Sequence, residues 1–136
     1  PEGSVSRLLA IVAGLLAILL VPLALSGPTA LLCPPAHLAL AVTCCIGSVL
    51  DGLDGWPERA RRWGFFYLVA SIAMVAALEL GADVRSQTWG YWGIPWVMAM
   101  VWGWIPPVVA GMGGMVGEVR QRRLTTKVVR HRRRAA

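Results

Sequence analysis

The sequence predicts an all-α integral membrane protein, a bundle of four transmembrane helices whose N and C termini lie in the cytoplasm. Three observations predict this fold class: 57% of the 136 residues are hydrophobic, only 15% are charged, and the apolar residues form four long blocks. A soluble domain has about 25% charged residues. The blocks predict spans at about 6–25, 34–53, 63–82 and 94–117, and such lengths suit a hydrocarbon core of ~30 Å.

The first block is interpreted as a span and not as a removable signal peptide. Its apolar run, residues 8–25, is longer than the ~7–15 residues of a signal sequence, and residues 26–29 lack a small-x-small cleavage pattern. The four spans leave only short connections. We therefore predict one transmembrane domain over residues 1–118 and a basic cytoplasmic tail over residues 119–136.

The basic residues predict the orientation of the spans. Of the 13 Lys and Arg residues, only Arg85 lies between blocks three and four; the others lie before block one, between blocks two and three, or after block four. Positive charge is retained on the cytoplasmic side of a membrane. Tryptophans favour the two membrane interfaces. They are found beside the cytoplasmic connection, at Trp56 and Trp63, and together with Tyr91 at the outer end of span four, at Trp89, Trp92 and Trp96.

The basic residues also indicate a source. All of them except Lys127 are arginine, and the chain is rich in Ala, Gly and Val. This bias is typical of high-GC bacterial genomes such as those of actinobacteria. The predicted location is therefore the plasma (inner) membrane of a bacterium, which the chain crosses several times.

The connection between spans two and three reads VLDGLDGWPERARRWGFF and contains a motif that suggests chemistry. The spacing of Asp51, Asp54, Gly55 and Arg59 resembles the first half of the CDP-alcohol phosphatidyltransferase signature. The resemblance implies a lipid-modifying enzyme at the cytoplasmic face, in which Asp51 and Asp54 hold divalent metal ions. The second half of that signature requires further acids near residues 70–76, which read ASIAMVA. Two acids from one turn make a poor site for a hard divalent cation.

The same connection also has a purely structural interpretation, which we favour. Pro57 is tolerated in the first turn of a helix, and Glu58 is spaced to pair with Arg61 or Arg62. The arginines would attract anionic lipid. Two Asp-Gly pairs are typical of turns, Asp51-Gly52 and Asp54-Gly55.

A second candidate for chemistry lies in span two, where Cys33, His37 and Cys44 are spaced to share one helix face. Thiolate and imidazole groups could hold a soft metal. A closed site needs about four ligands, however, and Pro34-Pro35 interrupt the helix between the first two residues. Cysteine is also a common small apolar residue in buried helices. We therefore predict no metal, no cofactor and no catalytic residue.

Glu79 is the candidate functional acid. It lies about one turn inside the outer end of span three, where a carboxylate is costly unless it meets water, a cation or a partner. The functional interpretation is a relay for protons or cations, or a bond to a partner subunit. The structural interpretation is an interfacial acid that reaches the headgroup layer, and we favour it because the span leaves room for that placement.

Span four carries the features that predict contact outside the chain. Pro106 and Pro107 remove two backbone donors and are expected to kink the helix near mid-depth. Small residues four apart allow a neighbouring helix to approach closely. The residues predicted to contact a partner or lipid are Trp102, Trp104, Pro106, Pro107, Gly113, Gly114, Gly117, Arg120, Arg122 and Arg123.

Together these features favour a non-catalytic accessory or stabilising subunit of a larger membrane complex, such as a lipid transporter or a respiratory assembly. Its expected partners are other integral membrane subunits and anionic phospholipids, and not nucleic acid, because a basic cluster next to a span attracts anionic headgroups. One alternative is a small transporter or channel that uses Glu79 and the Pro106-Pro107 break. The other is the lipid-modifying enzyme that uses Asp51 and Asp54.

Overall fold

Residues 2–26, 28–85 and 95–136 are described by a computed structural model, and four long helices account for most of them. The helices are α1 (Glu2–Leu25), α2 (Cys33–Leu53), α3 (Pro57–Arg85) and α4 (Ile105–Ala135). A 3-10 helix (Pro28–Leu32) precedes α2, and a π-helical turn (Ala99–Gly103) precedes α4. The predicted all-α architecture is therefore confirmed.

Four helical stretches are long and apolar enough to cross a membrane. They are Ser4–Leu25, Thr29–Leu53, Pro57–Gly81 and Pro95–Ala135. The third begins earlier than the sequence indicates, and the fourth does not end at residue 117. It continues as one helix through the predicted tail, and residues 119–135, called the arm below, are all exposed.

Prolines define where three of the helices begin. Pro34 lies in the first turn of α2, Pro57 is the first residue of α3, and Pro106 and Pro107 occupy the first turn of α4. Proline is tolerated there because the first N–H groups of a helix have no intrahelical acceptor. The break expected in span four is confirmed: the π-helical turn ends at Gly103, and a new α-helix starts after Trp104.

The connection between α2 and α3 is a single tight turn. Gly55 adopts a positive φ of 83°, and the backbone N–H of Trp56 donates to the carbonyl of Asp51 at 2.9 Å. The prediction that Asp51-Gly52 forms a turn is wrong, because both residues belong to the last turn of α2. A Cβ at Gly52 would meet the backbone of Gly113 within 3.0 Å, so the glycine serves helix packing.

Three of the long helices form a mutually packed group, and the remaining one lies against two of them. α2, α3 and α4 each contact the other two, whereas α1 packs against α2 and α3. Buried residues such as Leu20, Leu40, Tyr67, Met74 and Met98 form the core. The N-terminal part of α1, the α2–α3 turn and the base of the arm meet at one end of the bundle, which we call the basic end.

Glycines set the close approach of α2, α3 and α4. A Cβ at Gly113 would lie 2.8 Å from both the carbonyl and hydroxyl oxygens of Ser48, and one at Gly64 would lie 2.6 Å from the Cβ of Ala110. Ser48 is fully buried and donates to the carbonyl of Ala60 at 3.1 Å. Three helix backbones therefore meet around one serine, which only small residues permit.

The outward surface of the bundle is apolar. Large side chains such as Ile18 (71%), Phe65 (70%), Ile72 (69%) and Leu80 (74%) are mostly exposed. A contiguous apolar surface of this kind requires a lipid or protein partner, since monomeric soluble proteins seldom expose one.

Candidate functional site

A buried carboxylate joins three helices at the basic end. Asp51 of α2 is 3% exposed. Its Oδ2 accepts a hydrogen bond of 2.7 Å from the indole Nε1 of Trp63 on α3, and its Oδ1 accepts one of 3.2 Å from the hydroxyl of Ser6 on α1. Both oxygens accept hydrogen bonds from side chains of other helices. A buried carboxylate bonded in this way fixes the relative positions of the three helices.

Trp63 reaches Asp51 because α2 offers no side chain at Gly47. A Cβ there would collide with the indole ring. Trp63, predicted to lie in an interfacial belt, has its side chain buried between helices and donates its only N–H to Asp51, and its depth in a membrane stays a prediction. Trp56 is exposed, as that prediction requires, and the guanidinium of Arg59 lies 4.9 Å from its ring centroid.

A cavity of about 310 Å³ opens beside Asp51. Such a volume is at the lower end of the ~300–1,000 Å³ typical of ligand pockets. Its polar lining comes from Ser6, Asp51, Arg59 and Arg62, and its apolar lining includes Ala10 and Phe66. In the described part of the chain, neither arginine pairs with a carboxylate.

A second polar cluster lies inside the bundle around His37. The indole Nε1 of Trp102 donates to Nδ1 of His37 at 2.7 Å, and Nε2 of His37 lies 2.9 Å from the hydroxyl of Ser71. Indole can only donate, so Nδ1 carries no proton and the imidazole is the neutral Nε2–H tautomer. Tyr67 packs its ring 5.1 Å from the imidazole. The π-helical turn that contains Trp102 therefore supplies a hydrogen-bond donor to a buried histidine.

These contacts bear on the metal candidate in span two. Both nitrogens of His37 are engaged by protein groups, and Cys33 and Cys44 are buried. Among the residues that the structure describes, no three His, Cys, Asp or Glu side chains come together as a metal site. The Asp51 and Asp54 pair of the enzymatic interpretation is divided, because Asp51 is buried against Trp63 whereas Asp54 is exposed.

Glu79, the candidate functional acid, is exposed on α3. The transporter alternative also uses the Pro106-Pro107 break. Pro106 is buried and Pro107 is half-buried, and Trp102, just before the break, contacts His37. Glu79 thus lies on the outer surface, whereas the break places Trp102 in the polar cluster inside the bundle. Residues Trp89, Tyr91 and Trp92 lie outside the described residues.

Seven of the ten residues predicted to contact a partner or lipid divide into two groups. Gly113, Gly114 and Gly117 are buried within the bundle, where their faces are occupied by Ser48, Arg61 and Pro57 respectively. Their positions favour internal packing over docking. Trp104 is 56% exposed, and the tail arginines are exposed as well: Arg120, Arg122 and Arg123.

An ion pair fixes the base of the arm to α3. Arg61 pairs with Glu118 on α4 and lies 3.7 Å from Glu58 one turn away. The pairing between Glu58 and Arg61 confirms the helical spacing expected from the sequence. The side chains of both pairs are partly or largely exposed, so water screens the charges and each pair contributes little stability by itself. The pair with Glu118 joins α4 to α3 at the residue just before the arm.

Sequence reasoning missed Asp51 and Trp63 as a pair, and it treated His37 only as a metal candidate. One signal in the sequence could have predicted a buried role for Asp51: an acid in the apolar end of a predicted span needs a buried partner. Trp63 and Ser6 were not predictable as that partner, because they come from different helices.

These observations define the class of protein: an all-α chain with four helices suited to spanning a membrane and two buried polar clusters between them. Comparison with family models, with curated proteins and with solved structures finds no match to the chain. The function is therefore argued from the geometry alone.

Proposed function

We propose that the chain is a non-catalytic accessory subunit of a larger bacterial membrane complex, such as a lipid transporter or a respiratory assembly, and that its arm docks on an acidic face of a partner subunit. The observation that carries the proposal is the arm itself. Residues 119–135 continue α4 as an exposed helix with eight Lys and Arg residues and no acidic residue. Seventeen residues at 1.5 Å per residue reach about 25 Å from the bundle.

Two physical arguments favour a protein partner for the arm. A helix of this length has marginal stability in water by itself, and repulsion among its basic side chains weakens it further. Attraction to anionic headgroups falls off within a Debye length of about 8–10 Å, so the distal half of a projecting arm gains little from lipid. An acidic protein surface stabilises the whole arm. Anionic phospholipid contacts the proximal arginines: Arg120, Arg122 and Arg123.

The test uses the chain tagged at its N terminus and purified from native membranes in mild detergent. We expect other membrane subunits to co-purify in fixed ratio. Neutralising the distal trio (Arg130→Gln, Arg132→Gln and Arg133→Gln) should reduce the recovered partner about tenfold, because three exposed ion pairs contribute roughly 0.2–1 kcal/mol each.

The matched control neutralises the proximal trio (Arg120→Gln, Arg122→Gln and Arg123→Gln), with the same change in charge. If only the proximal trio matters, the arm acts through headgroups and the docking proposal fails. A chain recovered alone, or a co-purifying fraction that nuclease removes, would also contradict the proposal.

We also propose that the basic end lies in the cytoplasm, with both termini inside and the 3-10 helix outside. The support is the placement of the basic residues, since twelve of the 13 belong to that end. The complex would then lie in the bacterial plasma membrane, which the chain crosses four times.

Cysteine labelling in intact cells tests this orientation. In a variant whose three cysteines are replaced by alanine, Asp54→Cys should react with a membrane-impermeant maleimide only after permeabilisation. Leu31→Cys, which is 67% exposed in the 3-10 helix, should react in intact cells. The reverse pattern would overturn the orientation.

A further inference from the structure

We propose that the cavity beside Asp51 binds a phosphoethanolamine headgroup, carried by a phospholipid or free, with the phosphate between Arg59 and Arg62 and the primary amine on Asp51. The proposal goes beyond the docking function and does not depend on which side of a membrane the basic end occupies. It rests on the charges that line the cavity and on the shape of its walls.

The charged side chains of the cavity favour a ligand that carries both a negative and a positive group. Two guanidinium groups line the cavity, and the described part of the chain gives neither of them a carboxylate partner. Arginine recognises phosphate through its planar set of donors. A third lining group, Asp51, carries the opposite charge. A purely anionic headgroup would satisfy the arginines but face the carboxylate, whereas a zwitterion complements both.

Asp51 retains the capacity to receive an amine. A carboxylate has about four acceptor positions, and the bonds from Trp63 (2.7 Å) and Ser6 (3.2 Å) use two of them. A primary ammonium offers three N–H donors, whereas a quaternary ammonium offers none. The site should therefore distinguish ethanolamine from choline by hydrogen bonding as well as by size.

The apolar part of the cavity suits a lipid. Ala10 of α1 and Phe66 of α3 line it, and both belong to helices that are suited to spanning a membrane. The cavity holds about 310 Å³, which is roughly the space of ten water molecules at ~30 Å³ each. That volume admits a headgroup and its phosphate, while acyl chains would lie along the exposed apolar residues of α1 such as Leu8 and Ile11.

Native mass spectrometry of the full chain in detergent tests the site with defined probes: dioctanoyl phosphatidylethanolamine, dioctanoyl phosphatidylglycerol, dioctanoyl phosphatidylcholine and soluble O-phosphoethanolamine. We expect the ethanolamine lipid to bind about tenfold more tightly than the glycerol or choline lipid. Arg59→Gln with Arg62→Gln should weaken it by at least tenfold. The matched control is Arg132→Gln with Arg133→Gln, which changes the charge equally on the arm and should leave binding unchanged.

Asp51→Asn should remove the preference for ethanolamine over glycerol. Because that variant disturbs a buried hydrogen bond, a second variant closes the cavity without altering charge: Ala10→Phe should abolish binding, and Ala73→Phe, at an exposed position of α3, should not. Binding of soluble O-phosphoethanolamine with the same dependence on Asp51 and the arginines would assign the site to the free headgroup. Equal binding of all three lipids, or binding unaffected by Ala10→Phe, would overturn the proposal.

Discussion

Replacing Gly113 by leucine is expected to destabilise the bundle by about 3 kcal/mol, while the same substitution two residues earlier, at Gly111, should be tolerated. A Cβ at Gly113 would lie 2.8 Å from the backbone carbonyl oxygen and the hydroxyl of Ser48, and backbone atoms cannot rotate away. Overpacking a close contact costs typically 1–3 kcal/mol, and here two helix backbones must separate. Ser48 would then also lose its hydrogen bond to Ala60.

Gly111 is a matched control because it lies on the same helix and a Cβ there would meet nothing within 4 Å. Both substitutions gain the same helix propensity, about 0.8 kcal/mol for replacing glycine by leucine, so the difference between them isolates packing. Thermal unfolding in detergent, followed by size-exclusion chromatography, should show a midpoint roughly 10 °C lower for Gly113→Leu than for Gly111→Leu. Equal midpoints would mean that α2 and α4 are not in close contact.

Removing the indole N–H that binds Asp51 is expected to have the second large effect. Trp63→Phe keeps an aromatic ring over Gly47 but leaves Oδ2 of Asp51 without its 2.7 Å donor. Hydrogen bonds to carboxylates contribute about 1.5–3 kcal/mol, and in this variant the buried Asp51 side chain keeps only the bond from Ser6. We expect a loss of about 2 kcal/mol in the free energy of unfolding, measured by reversible denaturation in detergent.

A double-mutant cycle separates this bond from the volume change. Asp51→Leu with Trp63→Phe should be more stable than the sum of the two single effects predicts, by about 1.5–3 kcal/mol, because the double variant leaves neither partner unpaired. Trp104→Phe is the control, since the Trp104 side chain is 56% exposed and its indole donates to the backbone carbonyl of Met100, four residues earlier, at 3.2 Å. Strict additivity in the cycle would mean that the bond contributes nothing to stability.

The cavity and the arm depend on different residues, although both lie at the basic end. The cavity needs Asp51 held in place by Trp63 and Ser6, so Trp63→Phe should also weaken binding of the ethanolamine lipid. The arm begins beside the ion pair between Arg61 and Glu118, and none of its residues is among those that line the cavity. A variant can therefore lose one of the two proposed activities and keep the other.

Several features were determined by the sequence alone because they depend on local properties. Hydropathy over about 20 residues predicts the four helices, since each residue contributes independently of its neighbours in space. Proline chemistry favours Pro57 as the first residue of α3 and places Pro106 and Pro107 in the first turn of α4, which begins at Ile105. The pairing of Glu58 with Arg61 follows from helical spacing.

Other features were decided only by the tertiary structure. The physical reason is that lipid, the expected surroundings of the helices, is as apolar as the interior of the bundle. In a helix that is apolar on all sides, periodicity does not distinguish the face towards lipid from the face towards other helices. Gly113 and Gly117 could have met a partner but instead meet Ser48 and Pro57. Asp51 has a buried role only because α1 and α3 bring a hydroxyl and an indole to it, a meeting that no spacing along the chain encodes.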